Sequence, residues 1–178
     1  MAAVQEENYS LPAGFGTRPW LIQATRSNTL TLVDPSNQIS HKTIIPEIEG
    51  KTCLGCVHGG GGGGDCWLVM LDERTCESFL LSLAAGGRKI PLPPLREPLE
   101  FLAMCAALES PGHPDFTMLV SSTAEAGDRF LLHSRPGDPE WTKLTSPFGA
   151  SGITFSGNMI SYKGKVYSFT SRSALVMI

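Results

Sequence analysis

Short apolar runs punctuated by turn residues recur along this chain, and their openings repeat about every fifty residues. Units open near Cys53, near Ala103 and near Ile153. Each can hold four short strands and their polar turns, which is the content of one propeller blade. A unit of that size cannot cover both faces of its own sheet, so it must stack on its neighbours. That requirement predicts an all-β fold: a partial β-propeller of about three to four antiparallel four-stranded blades.

The runs themselves support strands. Trp20-Leu21-Ile22 precedes a polar turn at Thr25–Asn28, and Thr29–Val33 alternates before Asp34-Pro35-Ser36-Asn37, a strong turn signal. Ile39–Ile45 follows and is closed by Pro46. In the next unit Cys53–Val57, Trp67–Leu71 and Ser78–Leu83 are three strands, separated by a glycine tract and by Asp72-Glu73-Arg74. Lys89–Leu95 carries Pro91, Pro93 and Pro94, which confines it to an edge or exit strand. Phe101–Leu108 is rich in good helix formers, but the hairpin-like sequence after it, through Phe116–Val120, favours a strand. Phe130–His133 and Trp141–Leu144 complete that unit around the turn Arg135–Pro139. The last unit offers Ile153–Phe155, Met159–Tyr162, the turn Lys163-Gly164-Lys165, Val166–Phe169 and Ala174–Val176. Residues 1–17 are expected to be a polar tail, 18–178 the propeller, and 59–66 a flexible glycine-rich insertion.

Charge narrows the function classes. A net charge of -3, with no cluster of lysine or arginine, argues against a nucleic-acid surface and against an anionic membrane surface. The acidic, polar N-terminus does not read as a secretory signal, and the longest apolar run is far below the ~18 residues of a membrane span. Five cysteines in such a chain are expected to be reduced thiols in the cytoplasm or nucleus.

Four segments carry a family likeness. Cys53-Leu54-Gly55 with His58-Gly59 and Trp67-Leu68-Val69 resembles the opening strand pair of the plant F-box-associated, KIB-type β-propellers. Ile90–Leu95 resembles that family's blade-closing motif, Arg135–Asp138 with Trp141-Thr142 a third signature, and Tyr162–Phe169 the following hairpin. Trp20, Cys53, Gly55, Trp67, Pro91, Pro94, Trp141, Gly164 and Tyr167 are the blade-signature positions. The resemblance implies a kelch-like interaction module that recruits proteins to a ubiquitin ligase. Two departures qualify it: about nineteen residues precede the likeness, too few for an F-box, and residues 60–66 interrupt the family's His-Gly-Trp turn.

Catalytic and metal chemistry find little support. His58-Gly59-Gly60-Gly61 looks like an esterase oxyanion motif, but the chain has no Gly-x-Ser-x-Gly elbow. Asp65 stands where a phosphate loop needs lysine. Cys53, Cys56, His58 and Cys66 are the candidate metal ligands, with Cys76 more remote. Residues three apart on a regular strand point to opposite faces, which sets Cys53 against Cys56. No metal and no cofactor are therefore expected. His41, His113 and His133 fall in separate units, and Asp128, Asp138 and Glu140 in turns. The expectation is a non-enzymatic module that binds a protein partner, with self-association through open sheet edges. The alternatives are a His58-dependent hydrolase and a truncated product without a role of its own.

Overall fold

A computed structural model of the protein describes residues 10–13, 15, 19–58, 66–84, 87–97, 104–123, 129–144, 155–170 and 175–177. These form four antiparallel sheets, each built from strands consecutive in sequence. The first holds β1 (Leu21–Ala24), β2 (Thr29–Asp34) and β3 (Ile39–Ile44), and a single 3-10 turn, Pro46–Ile48, leads out of it. The second holds β4 (Thr52–His58), β5 (Cys66–Leu71), β6 (Ser78–Ser82) and β7 (Lys89–Leu92). The third holds β8 (Met104–Ala107), β9 (Met118–Thr123), β10 (Arg129–Ser134) and β11 (Thr142–Leu144). The fourth holds β12 (Phe155–Tyr162), β13 (Lys165–Thr170) and β14 (Leu175–Met177).

Two sheets thus have the four strands expected of a blade, and the first and last have three among the described residues. The helix-forming composition before Leu108 yields to a strand, because Met104–Ala107 pairs along Met118–Ser121 and buries Ala106 and Ala107. The two short runs foreseen around Phe155 and Met159 are one strand whose register shifts between those residues. Pro91 lies in β7, which among the described residues pairs only with β6, so its missing N–H interrupts no ladder there.

Turn chemistry follows side chains. Buried Asp34 accepts the Ser36 backbone N–H at 2.9 Å, and Asp72 accepts that of Arg74 at 3.0 Å. Each carboxylate thereby closes its own hairpin turn. Lys163 and Gly164 have φ of +50° and +68°, the paired left-handed conformation of a two-residue type I′ hairpin between Tyr162 and Lys165.

The cores lie between sheets. Leu30, Leu32, Ile45 and Ile48 meet Cys66, Leu68, Met70, Leu81 and Leu83 between the first and second. Val57, Trp67, Val69 and Leu80 meet Ala107, Phe116, Met118 and Val120 between the second and third. Val166 meets Ala106, Leu119 and Leu131 between the third and fourth. Alternate residues of β5 therefore serve different neighbours, and all six are buried. A strand buried on both faces reads as a continuous apolar run, which is what Trp67–Leu71 is. Trp67 is 2% exposed, and the Arg88 guanidinium lies 4.9 Å from its ring centroid. Among the described residues no buried cluster joins the first sheet to the fourth. The stack is that of a partial propeller.

Candidate functional site

The first strands of the last three sheets run side by side, β4 against β8 and β8 against β12. They meet where Gly55 has no side chain: a Cβ there would lie 3.2 Å from the Cys105 Cβ. The Ser161 hydroxyl donates to the Ala107 carbonyl and ties β12 to β8. At one end these inner strands enclose a cavity of about 480 Å³. Its walls are residues 56–58 of β4, 105–107 of β8 with Glu109, and 159–164 of β12 and its turn. Glu109 and Lys163 bring opposite charges to it, while Ile160 and Tyr162 stay 63% and 59% exposed.

A thiol cluster forms one side of that end. His58 pairs directly with Cys66 across β4 and β5, and Cys56 pairs with Leu68. Cys56, His58 and Cys66 therefore share a face, with their Sγ and imidazole nitrogen atoms within 4.8 Å of one another. Cys56 Sγ lies 2.8 Å from Cys66 Sγ. The hydrogen bond between them holds the Cys56 thiol below its ordinary pKa, and the same bond, with burial, pushes Cys66 up. Burial raises Cys53 to about 11 and also raises Cys105.

One expectation from strand alternation is overturned here. The register shifts between Cys53 and Gly55, leaving Leu54 as a bulge. The extra residue resets the alternation, so Cys53 and Cys56 face the same way, against the core between the first two sheets, while Leu54 faces the next interface. Cys53 Sγ donates to the Gly55 carbonyl at 3.4 Å and stays outside the three-residue cluster. Cys76 is remote, at φ +61° after the β5–β6 turn.

The remaining positions are spread through the fold. Trp20 packs on Phe15 at a centroid distance of 6.0 Å and on the first interface. Trp141 Nε1 donates at 2.8 Å to the Pro93 carbonyl, which also accepts the Ser78 hydroxyl at 2.7 Å. Pro94 is exposed beside it, and Tyr167 is half-buried opposite Ile160. His41 Nε2 donates to the Ser10 carbonyl, and His113 Nδ1 accepts the Asp115 N–H. His133 is half-buried on β10, so these three imidazoles do not converge. Asp138 accepts the Arg135 N–H at 2.8 Å in its own turn, and Glu140 is exposed. Residues 59–65, including the glycine tract on which the esterase reading turns, lie outside the described residues, as do Asp128 and most of the N-terminal tail. No helix among the described residues is long and apolar enough to cross a membrane.

Reading single motifs missed Cys105, Glu109 and Tyr162. Their signal was positional: each belongs to the opening strand of its unit or to the turn just after it, and opening strands meet at the centre of a propeller.

No curated protein and no solved structure matches this chain. One family model does, that of the KIB1-4 beta-propeller, over residues 19–178. That span takes in all four sheets, the inner-strand cavity and the thiol cluster. By its sequence and by its stacked antiparallel sheets, the chain belongs to the KIB1-4 beta-propeller family.

Proposed function

We propose that this chain is a non-catalytic protein-interaction module that receives a protein partner at the cavity end of its inner strands. The observation that carries the reading is the pairing of exposed Ile160 and Tyr162 with Glu109 and Lys163 around one concave end. Aromatic and apolar groups beside a few charges make the common composition of a protein-binding patch. The finer reading, taken from the resemblance to F-box-associated propellers, is that the bound protein is a substrate for a ubiquitin ligase. The setting for the partner is intracellular, in keeping with five free thiols among the described residues.

The test is crosslinking and affinity capture from the native cell type, comparing the wild type with the double variant Tyr162→Ala, Lys163→Glu. A saturable partner captured by the wild type and lost from the double variant supports the reading, provided circular dichroism shows both folded. Equal capture by the two places recognition elsewhere. Hydrolysis of a simple aryl ester that disappears in His58→Ala would replace this reading with the hydrolase alternative.

A further inference from the structure

We infer that Cys56, His58 and Cys66 form a three-ligand zinc site at the open end of the β4–β5 hairpin. Two thiols and an imidazole are the donors that zinc prefers, and they arrive from two adjacent strands on one face. Their burial is graded: Cys66 is buried, Cys56 half-buried and His58 exposed. An ion bound there would sit at the margin of the core, with its open side toward solvent. Among the described residues no fourth cysteine, histidine or carboxylate joins the group, so these three leave one tetrahedral position open.

Pairing geometry favours a metal over a disulfide. Cys66 stands directly opposite His58, so Cys56 and Cys66 are diagonal neighbours across the ladder. Diagonal positions lie roughly 7–8 Å apart at the backbone. A disulfide wants Cα atoms about 4.4–6.8 Å apart, a range that falls short of the usual diagonal. A zinc ion at about 2.3 Å from each sulfur spans the diagonal with thiolates roughly 3.8 Å apart. The two sulfurs now lie 2.8 Å apart, so they would open by about 1 Å to take the ion. An S–H···S hydrogen bond already joins them, so they converge on one point without a metal. Binding releases the thiol protons to solvent, and the two thiolates neutralise the dication.

The sequence gives such a site something to do. His58 and Cys66 flank a connection of six glycines and one aspartate. Hairpin register is ordinarily set by turn type together with loop length, and polyglycine selects no turn type. A metal on the last rung would fix the register that the connection leaves open, and with it the inner-strand surface at residues 56–58. This holds whether or not that surface binds a protein.

The experiment uses the whole chain, reduced and stripped of metal, titrated with cobalt(II) and then with zinc(II). The expected result is one cobalt per chain, with the visible absorption of a tetrahedral site and a near-ultraviolet thiolate-to-cobalt band, both bleached by zinc. Zinc should also raise the melting temperature, and EDTA should reverse that. His58→Ala alters an exposed side chain and keeps the fold, and it should weaken cobalt binding by roughly tenfold or more, the loss of one of three donors. Cys56→Ser should cut the thiolate band to half or less, since only Cys66 remains as a thiolate, whereas Cys53→Ser should leave it intact. Absence of the band from the reduced wild type overturns the inference. So does a band of undiminished intensity in both Cys56→Ser and His58→Ala.

Discussion

Gly55 is conspicuous because its role depends on a residue fifty positions away. Nothing local demands glycine there, yet a Cβ would press on the Cys105 Cβ at 3.2 Å and its Sγ at 3.5 Å. Gly55→Val should therefore destabilise the chain by about 2 kcal/mol, the usual scale for overpacking a tight interface. Combining it with Cys105→Gly should recover part of the loss, and urea denaturation of the four proteins measures the coupling. The thiols nearby give a second test. Burial holds Cys53 protonated to about pH 11, above its ordinary 9.0, so between these values the unfolded chain releases a proton that the folded chain keeps. That difference favours unfolding: the contribution is complete below pH 9 and is lost as pH rises toward 11. Relative to Cys53→Ala, the metal-free wild type should lose about 1 kcal/mol between pH 8 and pH 10. Equal slopes for the two proteins would sink the idea. The glycine at position 55 and the cysteine spacing were both visible in the sequence. The bulge at Leu54 that aligns Cys53 with Cys56 was not, because it answers to the fit of β4 against β8 rather than to any local pattern.

Strands were the most legible elements, and the reason lies in their ends. Asp34 and Asp72 announce turns through the same side-chain bonds that close them, and Lys163-Gly164 marks a hairpin. Alternation then supplies the rest, except where a strand is buried on both faces, as β5 is, or shifts register, as β12 does. Connections between elements were harder to read. The segment after β7 holds the second and third sheets together through one carbonyl, that of Pro93, which receives both the Ser78 hydroxyl and the Trp141 indole. A proline-rich exit strand says nothing by itself about which donors it will meet. Trp141→Phe keeps the ring and removes the donor, and it should cost about 1 kcal/mol; Ser78→Ala should cost about the same. The double variant should cost more than their sum, because the buried carbonyl then has neither donor. Strict additivity in chemical denaturation would show that the two bonds do not share an acceptor in solution.

At the scale of the molecule, the decisive fact is that both ends of the stack present apolar groups. Leu21 and Ile44 are 63% and 56% exposed on the outer face of the first sheet, and Phe169 is 49% exposed on that of the fourth. Inside the stack, equivalent faces are covered by the next sheet, so each end resembles an interface awaiting its other half. The two ends differ in sequence, and a contact between them in different copies is therefore heterologous, able to close a ring or to grow. Sedimentation velocity should show concentration-dependent association of the wild type. Leu21→Lys leaves a chain with only its fourth-sheet face intact, and Phe169→Glu one with only its first-sheet face intact; each alone should be monomeric. Mixed, the two have one compatible pair of faces, and should stop at a dimer. An isologous contact gives the opposite pattern: one of the two variants keeps associating with itself, and mixing adds nothing. Repeat counting in the sequence anticipated sheets that stack, because the period is a property of each unit. It was silent on what covers the ends, which depends on faces that only the assembled register defines.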